Sequence, residues 1–241
     1  MDTNSSEKSV HENTLSQAFL WPAHWAVRLL FLFLTLLLLA WGAYLVFMHF
    51  EWGADNAISH TRAILAHDLD VVSRFGANSG SARIAVATAN LIYWLVWEVT
   101  RIHDAMTAFS DPAPRGMLDT FLRNALIVPF QSEIYVLMDA TKIFGIRLAI
   151  FITALPVFLL AYVVGTVDGL VQRYIRRSGA GRESSSLYHR AKFFQMGGAA
   201  FLGLIYICLP VAIDPRWIML PSASLLALLA RVQWTYFKKY L

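Results

Sequence analysis

The chain has 241 residues, of which 57% are hydrophobic and only 15% are charged, and its formal net charge is +4. Because a soluble domain is usually about 45–50% apolar and about 25% charged, this composition excludes an ordinary soluble domain and indicates an integral membrane protein. The one cysteine, Cys208, excludes an intramolecular disulfide and a cysteine-based zinc cluster.

The first apolar run covers residues 29–50 and contains no charged residue. A helix of this length is about 33 Å long, enough to cross a hydrocarbon core of about 30 Å. Trp25 and Trp52 flank the run, as is typical of side chains at the headgroup level. A cleaved signal peptide is the alternative, but the long polar leader and the apolar residues beyond Gly42 favour an uncleaved anchor.

Residues 51–147 differ in character, with eight Lys and Arg and ten Asp and Glu. Apolar residues recur every three or four positions from Ile84 to Met106, which predicts one amphipathic helix that packs on the protein or lies at the membrane surface. The uncharged part of this helix is too short to span a membrane. We expect its opposite face to expose Trp94 and Trp97 to a partner.

Three more apolar runs predict spans two to four, at 148–168, 193–213 and, after a turn at Asp214-Pro215, up to residue 237. Small residues at four-residue spacing let helix backbones approach closely in lipid. They predict packing of the second span against the third. The residues concerned are Ala161, Gly165 and Gly169 in the second span, and Ala199 and Gly203 in the third.

The loop between the second and third spans, at 169–192, is strongly basic. Its cationic residues are Arg173, Arg176, Arg177, Arg182, Arg190 and Lys192, against the one acid Glu183. The positive-inside rule places this loop in the cytoplasm, and four spans then put both termini there as well. The loop could only set topology, or it could bind anionic lipid, a protein partner or DNA. Stacking aromatics are sparse, so we expect no direct contact with nucleic acid.

The sequence carries no convincing catalytic motif. It has no Gly-x-Ser-x-Gly, no phosphate-binding P-loop and no dinucleotide fingerprint, so we expect neither an enzyme nor a bound cofactor or metal. The serines beside Glu183 and His189 are better explained by helix capping. A small transporter or channel remains the alternative, because Pro156, Pro210 and Pro221 could interrupt helices.

A family resemblance rests on residues 164–192. These read Val-Gly-Thr-Val-Asp-Gly-Leu-Val-Gln-Arg-Tyr-Ile-Arg-Arg at 164–177, Ala-Gly-Arg-Glu-Ser-Ser at 180–185 and Leu-Tyr-His-Arg-Ala-Lys at 187–192. The sequence resembles the membrane proteins of integrating conjugative elements of proteobacteria. The resemblance implies an inner-membrane component encoded near the coupling ATPase that delivers DNA to a type IV secretion channel. It also implies that the block is a contact surface for such a partner.

These observations together predict an all-α membrane protein of about four transmembrane helices in the bacterial inner membrane. The predicted segments are a cytoplasmic N-terminus (1–28), spans at 29–50, 148–168, 193–213 and 214–237, a periplasmic helical region (51–147), a basic cytoplasmic loop (169–192) and a cytoplasmic C-terminus (238–241). We expect a non-enzymatic accessory subunit of a conjugative transfer apparatus that contacts membrane lipids and docks the coupling ATPase or channel proteins. Its oligomeric state stays open. The expected docking residues are Arg173, Arg176, Arg177, Arg182, Glu183, His189, Arg190, Lys192, Trp94 and Trp97.

Overall fold

A computed structural model describes residues 3–74, 79–110, 121, 124, 128–179 and 185–237. Within these ranges the chain is all-helical and has no β-strand, as predicted. The α-helices are α1 (Thr3–Phe47), α2 (Ala54–Arg74), α3 (Gly80–Tyr93), α4 (Ile102–Ser110), α5 (Gln131–Ser178), α6 (Ser185–Cys208) and α7 (Arg216–Thr235). Short π-helical turns follow α1 at Met48–Trp52 and α3 at Trp94–Glu98.

Among the described helices, three are long and apolar enough to cross a membrane. They are Pro22–Trp52, Gln131–Ser178 and Arg216–Thr235. The predicted third span, at 193–213, is not confirmed, because α6 ends at Cys208 and residues 209–214 are not helical. The helical part from Phe193 onward is about 24 Å long, which is shorter than a hydrocarbon core of about 30 Å.

The chain divides into two compact units, Met1–Leu39 and Ala40–Leu241. The first contains most of α1, where the Arg28 guanidinium lies 5.8 Å from the centre of the Trp25 ring. The second contains the end of α1 and all the other helices. In it, Gly53 has a φ of 71°, a conformation that suits glycine, and so allows the chain to turn sharply into α2.

The long helix α5 is the centre of the second unit. Its first half packs against α2, which runs parallel to it, since Arg62 pairs with Asp139 at 3.6 Å and Asp68 pairs with Arg147 at 2.7 Å. Helix α3 runs antiparallel on another side. The predicted boundary between an outer region and the second span, at residue 147, therefore falls inside one continuous helix.

The second half of α5 packs mainly along α7. A Cβ atom on Gly165 would overlap the carbonyl oxygen of Ala227, and one on Gly169 would lie 2.6 Å from the carbonyl oxygen of Arg231. Both residue numbers rise together, so the two helices are parallel. The prediction that these two glycines pack against the third span is therefore wrong.

The remaining small residues of the predicted packing set have different surroundings. Gly203 of α6 meets the ring of Phe151 on α5, so the second and third predicted spans do touch there. Ala161 is half-buried, and the side chain of Ala199 lies outside the described residues. Helix backbones therefore approach closely at Gly165 and Gly169, where α7 is the neighbour of α5, whereas Gly203 leaves room for the Phe151 ring.

The predicted amphipathic helix from Ile84 to Met106 is interrupted at residues 99–101, between the π-helical turn and α4. Its buried face also differs from the expected apolar stripe. Helix α3 buries Ala82, Ala85 and Ala89 and, at its end, Ile92 and Tyr93. Ile84 and Leu91, and Leu95 in the π-helical turn, are exposed. The reason is the close approach at Gly145, where an added Cβ would lie 2.6 Å from the Ala89 Cα and only small residues fit.

Candidate functional site: a basic end and a buried arginine centre

Cationic side chains gather where the end of α5, the start of α6 and the end of α7 meet. We call this region the basic end. Its described residues are Arg173, Arg176, Arg177, His189, Arg190 and Lys192. The Tyr188 ring on α6 lies 5.6 Å from the Phe237 ring just after α7, which joins the two antiparallel helices. The end of α5 and the start of α6 therefore present their positive charges together beside the end of α7, although no short-range sequence signal links α7 to the other two.

Two of these arginines serve the fold. Arg176 donates a hydrogen bond to the Thr235 carbonyl, and its guanidinium lies 4.4 Å from the centre of the Tyr236 ring. Arg173 lies 5.3 Å from the centre of the Phe237 ring. Because the last carbonyls of a helix have no partner within it, Arg176 caps α7. These two positions are therefore poor choices for a test of docking alone.

The outward-facing part of the basic end consists of Arg177, His189, Arg190 and Lys192, which are all exposed. The His189 ring lies 5.2 Å from the Tyr188 ring in an edge-on contact. Arg182 and Glu183, the other predicted docking residues, lie outside the described residues. The exposed cations form a surface that favours an acidic or phosphate-bearing partner by charge.

An ion pair joins α5 to α7 just before the basic end. The Arg231 Nε lies 2.9 Å from the Asp168 Oδ2, and the two side chains are 45% and 44% exposed. The parallel packing at Gly169 brings Arg231 alongside Asp168, although the two residues are far apart in the chain.

A second arginine, Arg147, lies at the other side of the apolar stretch of α5 and is 1% exposed. Its Nε donates to the Asp68 carboxylate at 2.7 Å. Its other nitrogens donate to the backbone carbonyls of Tyr206, Leu209 and Val211. We call Arg147, Asp68 and these three carbonyls the arginine centre.

The arginine centre explains how the irregular segment after α6 is tolerated. Carbonyls at a helix end lack intrahelical partners, and leaving them unbonded away from water is costly. The planar guanidinium has five N–H donors and so can serve several carbonyls and one carboxylate at once. In the sequence, Arg147 stands in no motif that indicates this role. Its partner Asp68 is too distant in the chain to be found, and only Pro210 signals the break in the helix.

The two tryptophans predicted to be exposed differ. Trp94 is 50% exposed, but Trp97 is only 4% exposed, so the prediction is wrong for Trp97. Its indole Nε1 donates to the Thr141 hydroxyl at 2.9 Å, and the Trp41 Nε1 donates to the same oxygen at 3.1 Å. Indole N–H groups usually find a partner when buried, and here one threonine satisfies two.

A polar contact next to Trp97 joins α3 to α4. The Tyr93 hydroxyl lies 2.8 Å from the His103 Nδ1, and the Lys142 ammonium lies 4.3 Å from the centre of the Tyr93 ring. Burial raises the pKa of Tyr93 to about 12, with further contributions from Asp139 and Glu98. The phenol therefore stays protonated at neutral pH, and its hydrogen bond with His103 holds α4 against α3.

Comparison with known proteins gives one match. Residues 52–238 match the model of a family described as DtrJ-like, IncC plasmid conjugative DNA transfer proteins. No curated protein and no solved structure matches the chain. The matched range contains α2 to α7, and so includes the arginine centre and the basic end. The resemblance to a conjugative transfer family is thereby confirmed, and the chain belongs to the DtrJ-like family of conjugative DNA transfer proteins.

Proposed function

We propose that this protein is a non-enzymatic inner-membrane subunit of a conjugative DNA-transfer apparatus, and that its basic end docks the coupling ATPase or a membrane protein of the type IV secretion channel. The observation that carries the proposal is the group of exposed cations at the basic end, in a chain of a conjugative transfer family. In this proposal the hydrolysis of ATP and the handling of DNA belong to the partners.

The orientation in the membrane is part of the same proposal. A cluster of Arg and Lys beside the ends of apolar helices favours the cytoplasmic side. In this proposal α5 and α7 run parallel, and α6, together with the non-helical residues 209–213 after it, returns the chain across the membrane between them. The basic end then faces the cytoplasm, where the coupling ATPase works.

The exposed cations of the basic end favour the binding of a protein partner over a role in setting topology alone. Arg190 and Lys192 are on the first turns of α6 and are exposed, whereas Arg173 and Arg176 contact the end of α7. The contacts within the fold hold the helix ends in place, and the exposed cations can then steer an acidic surface toward them. Docking and internal bracing thus use different residues.

The test is co-purification of the coupling ATPase of the same transfer system in mild detergent. We expect Arg190→Glu, and separately Lys192→Glu, to lower recovery of the ATPase and the frequency of conjugation by about tenfold, because like charges across a contact cost about 1.4 kcal/mol or more. The matched control is Arg83→Glu, the same charge change at an exposed position of α3 far from the basic end.

Unchanged recovery of the ATPase with both basic-end variants, at a normal level of the protein, would contradict docking at the basic end. Topology is checked separately with reporter fusions at residues 100 and 179, which we expect on opposite faces of the membrane. Reporters on the same face would overturn the orientation without deciding whether a partner binds.

A further inference from the structure

An apolar cleft lies within the second unit, between α2 and α3 on one side and α5 and α7 on the other. It has a volume of about 380 Å³, within the range of about 300–1,000 Å³ that is typical of ligand pockets. Four helices form its walls: the end of α2, the start of α3, the middle of α5 and the start of α7. Its apolar wall includes Val72, Ala85, Ile150, Val157, Phe158 and Leu220.

The depth of this cleft follows from the helices that line it. Ile150, Val157 and Phe158 belong to the apolar stretch of α5, and Leu220 to the first turns of α7. Both helices are long and apolar enough to cross a membrane. In the membrane arrangement proposed above, the cleft therefore lies at the level of the hydrocarbon core, and its open side faces acyl chains.

The polar groups on the cleft wall are few and already bonded. The Thr153 hydroxyl donates to the Ile150 carbonyl at 2.9 Å. The Arg216 Nε on the rim lies 3.4 Å from the Asp214 carboxylate. An apolar space with so few polar partners does not hold water well. Its chemistry suits a flexible hydrocarbon chain and gives no hydrogen bonds that would select a polar solute.

We propose that this cleft binds the acyl chain of a membrane phospholipid. The occupant bridges α2 and α3 on one side and α5 and α7 on the other, and so fills space that these helices leave between them. It lies close to the arginine centre, because Ile150 is one helical turn beyond Arg147 on α5. The lipid would thus be a bound component of the fold at this place, distinct from lipid that only surrounds the helices.

The test uses the full chain in phosphatidylethanolamine–phosphatidylglycerol vesicles that contain a phosphatidylglycerol with a photoreactive diazirine in its acyl chain. Cross-linked peptides are mapped by mass spectrometry. We expect labelling of the segments 150–158 and 219–220 to saturate as the mole fraction of the probe in the vesicles is raised, whereas labelling at the exposed Val164 on the same helix rises linearly. Labelling that rises linearly at the cleft segments as well would overturn the proposal.

A matched pair of variants locates the site. Val157 lines the cleft and Val164, two turns further along α5, does not; the two side chains are similarly exposed at 50% and 57%. We expect Val157→Phe to abolish saturable labelling at 219–220 and Val164→Phe to leave it unchanged. Equal labelling in both variants, or cross-links that join two copies of the chain at the cleft, would overturn the proposal. Saturation of the labelling on the unchanged protein still decides the proposal if Val157→Phe fails to fold.

Discussion

Two Arg–Asp pairs lie on α5, at either side of its apolar stretch, and they differ in almost every respect except chemistry. Asp68–Arg147 is buried, with side chains 3% and 1% exposed, and the arginine also serves three carbonyls. Asp168–Arg231 is nearly half-exposed on both sides. Distances are similar, at 2.7 Å and 2.9 Å. The comparison shows that the length of an ion pair says little about what the pair does.

The difference follows from solvent. A buried charge that loses its partner is not solvated by water. Breaking such a pair therefore lowers the stability of the fold strongly, even where forming the pair stabilises it little. A half-exposed charge is solvated whether paired or not, and its pair contributes little. We therefore infer that Asp68–Arg147 holds the helices α2, α5 and α6 together, and that Asp168–Arg231 only accompanies a contact made by packing.

The largest expected effect is that of Arg147→Met. The variant leaves Asp68 buried without a partner and removes the donors of three carbonyls, so we expect a loss of about 3–5 kcal/mol in the free energy of unfolding. Equilibrium unfolding in mixed micelles, followed by tryptophan fluorescence, measures it. The control is Arg231→Met, the same substitution in the exposed pair. Equal losses in the two variants would break the comparison.

The double variant Asp68→Leu with Arg147→Met separates the two tasks of the arginine. Without Asp68 there is no buried charge left, and the remaining cost comes from the carbonyls of Tyr206, Leu209 and Val211. We expect a loss of about 1–3 kcal/mol, smaller than that of Arg147→Met alone. The same unfolding experiment measures it. A double variant that is less stable than the single one would show that Asp68 stabilises the fold in some way besides pairing.

The helical class, the apolar runs and the role of the glycines were predictable, because each depends on residues close together in the chain. Gly165 and Gly169 recur at helical spacing and do lie at a helix contact. Their partner was not predictable, since small residues permit close approach to any helix. The arginine centre was not predictable either, because Asp68 and Arg147 belong to different helices and neither stands in a motif.

The face of α3 was misjudged for a related reason. Periodicity identifies large apolar residues, and these were expected to define the face that packs. The close contact of Ala89 with Gly145 instead selects alanines, and it leaves Leu91 and Leu95 exposed. Which face of an apolar helix is buried depends on the shape of the neighbouring helix. The sequence of the first helix does not determine that shape. The exposure of Trp97 was misjudged by the same reasoning.

Gly169→Ala tests whether packing dominates beside the exposed pair. A Cβ at this position would lie 2.6 Å from the Arg231 carbonyl oxygen and 2.9 Å from the Trp234 Cβ, so α7 must move. We expect a loss of about 1–3 kcal/mol in the free energy of unfolding. The matched control is Gly198→Ala on α6, where an added Cβ meets nothing within 4 Å. If Gly169→Ala is as harmless as Gly198→Ala, packing does not hold α5 to α7 here.

The smallest expected effect is that of Asp168→Asn, at the residue next to Gly169. The substitution keeps the shape of the side chain and removes only its charge, and Arg231 remains solvated. We expect a loss of about 0.2–1 kcal/mol, which shrinks further as salt is raised from about 0.05 M to about 0.5 M because screening weakens exposed pairs first. Asp68→Asn, the same change in the buried pair, should cost several times more and respond little to salt. A salt-sensitive loss at Asp68 would mean that water reaches the arginine centre. The two pairs would then differ only in how strongly they are exposed to water. Arg147 would hold α6 only through its hydrogen bonds to the three carbonyls.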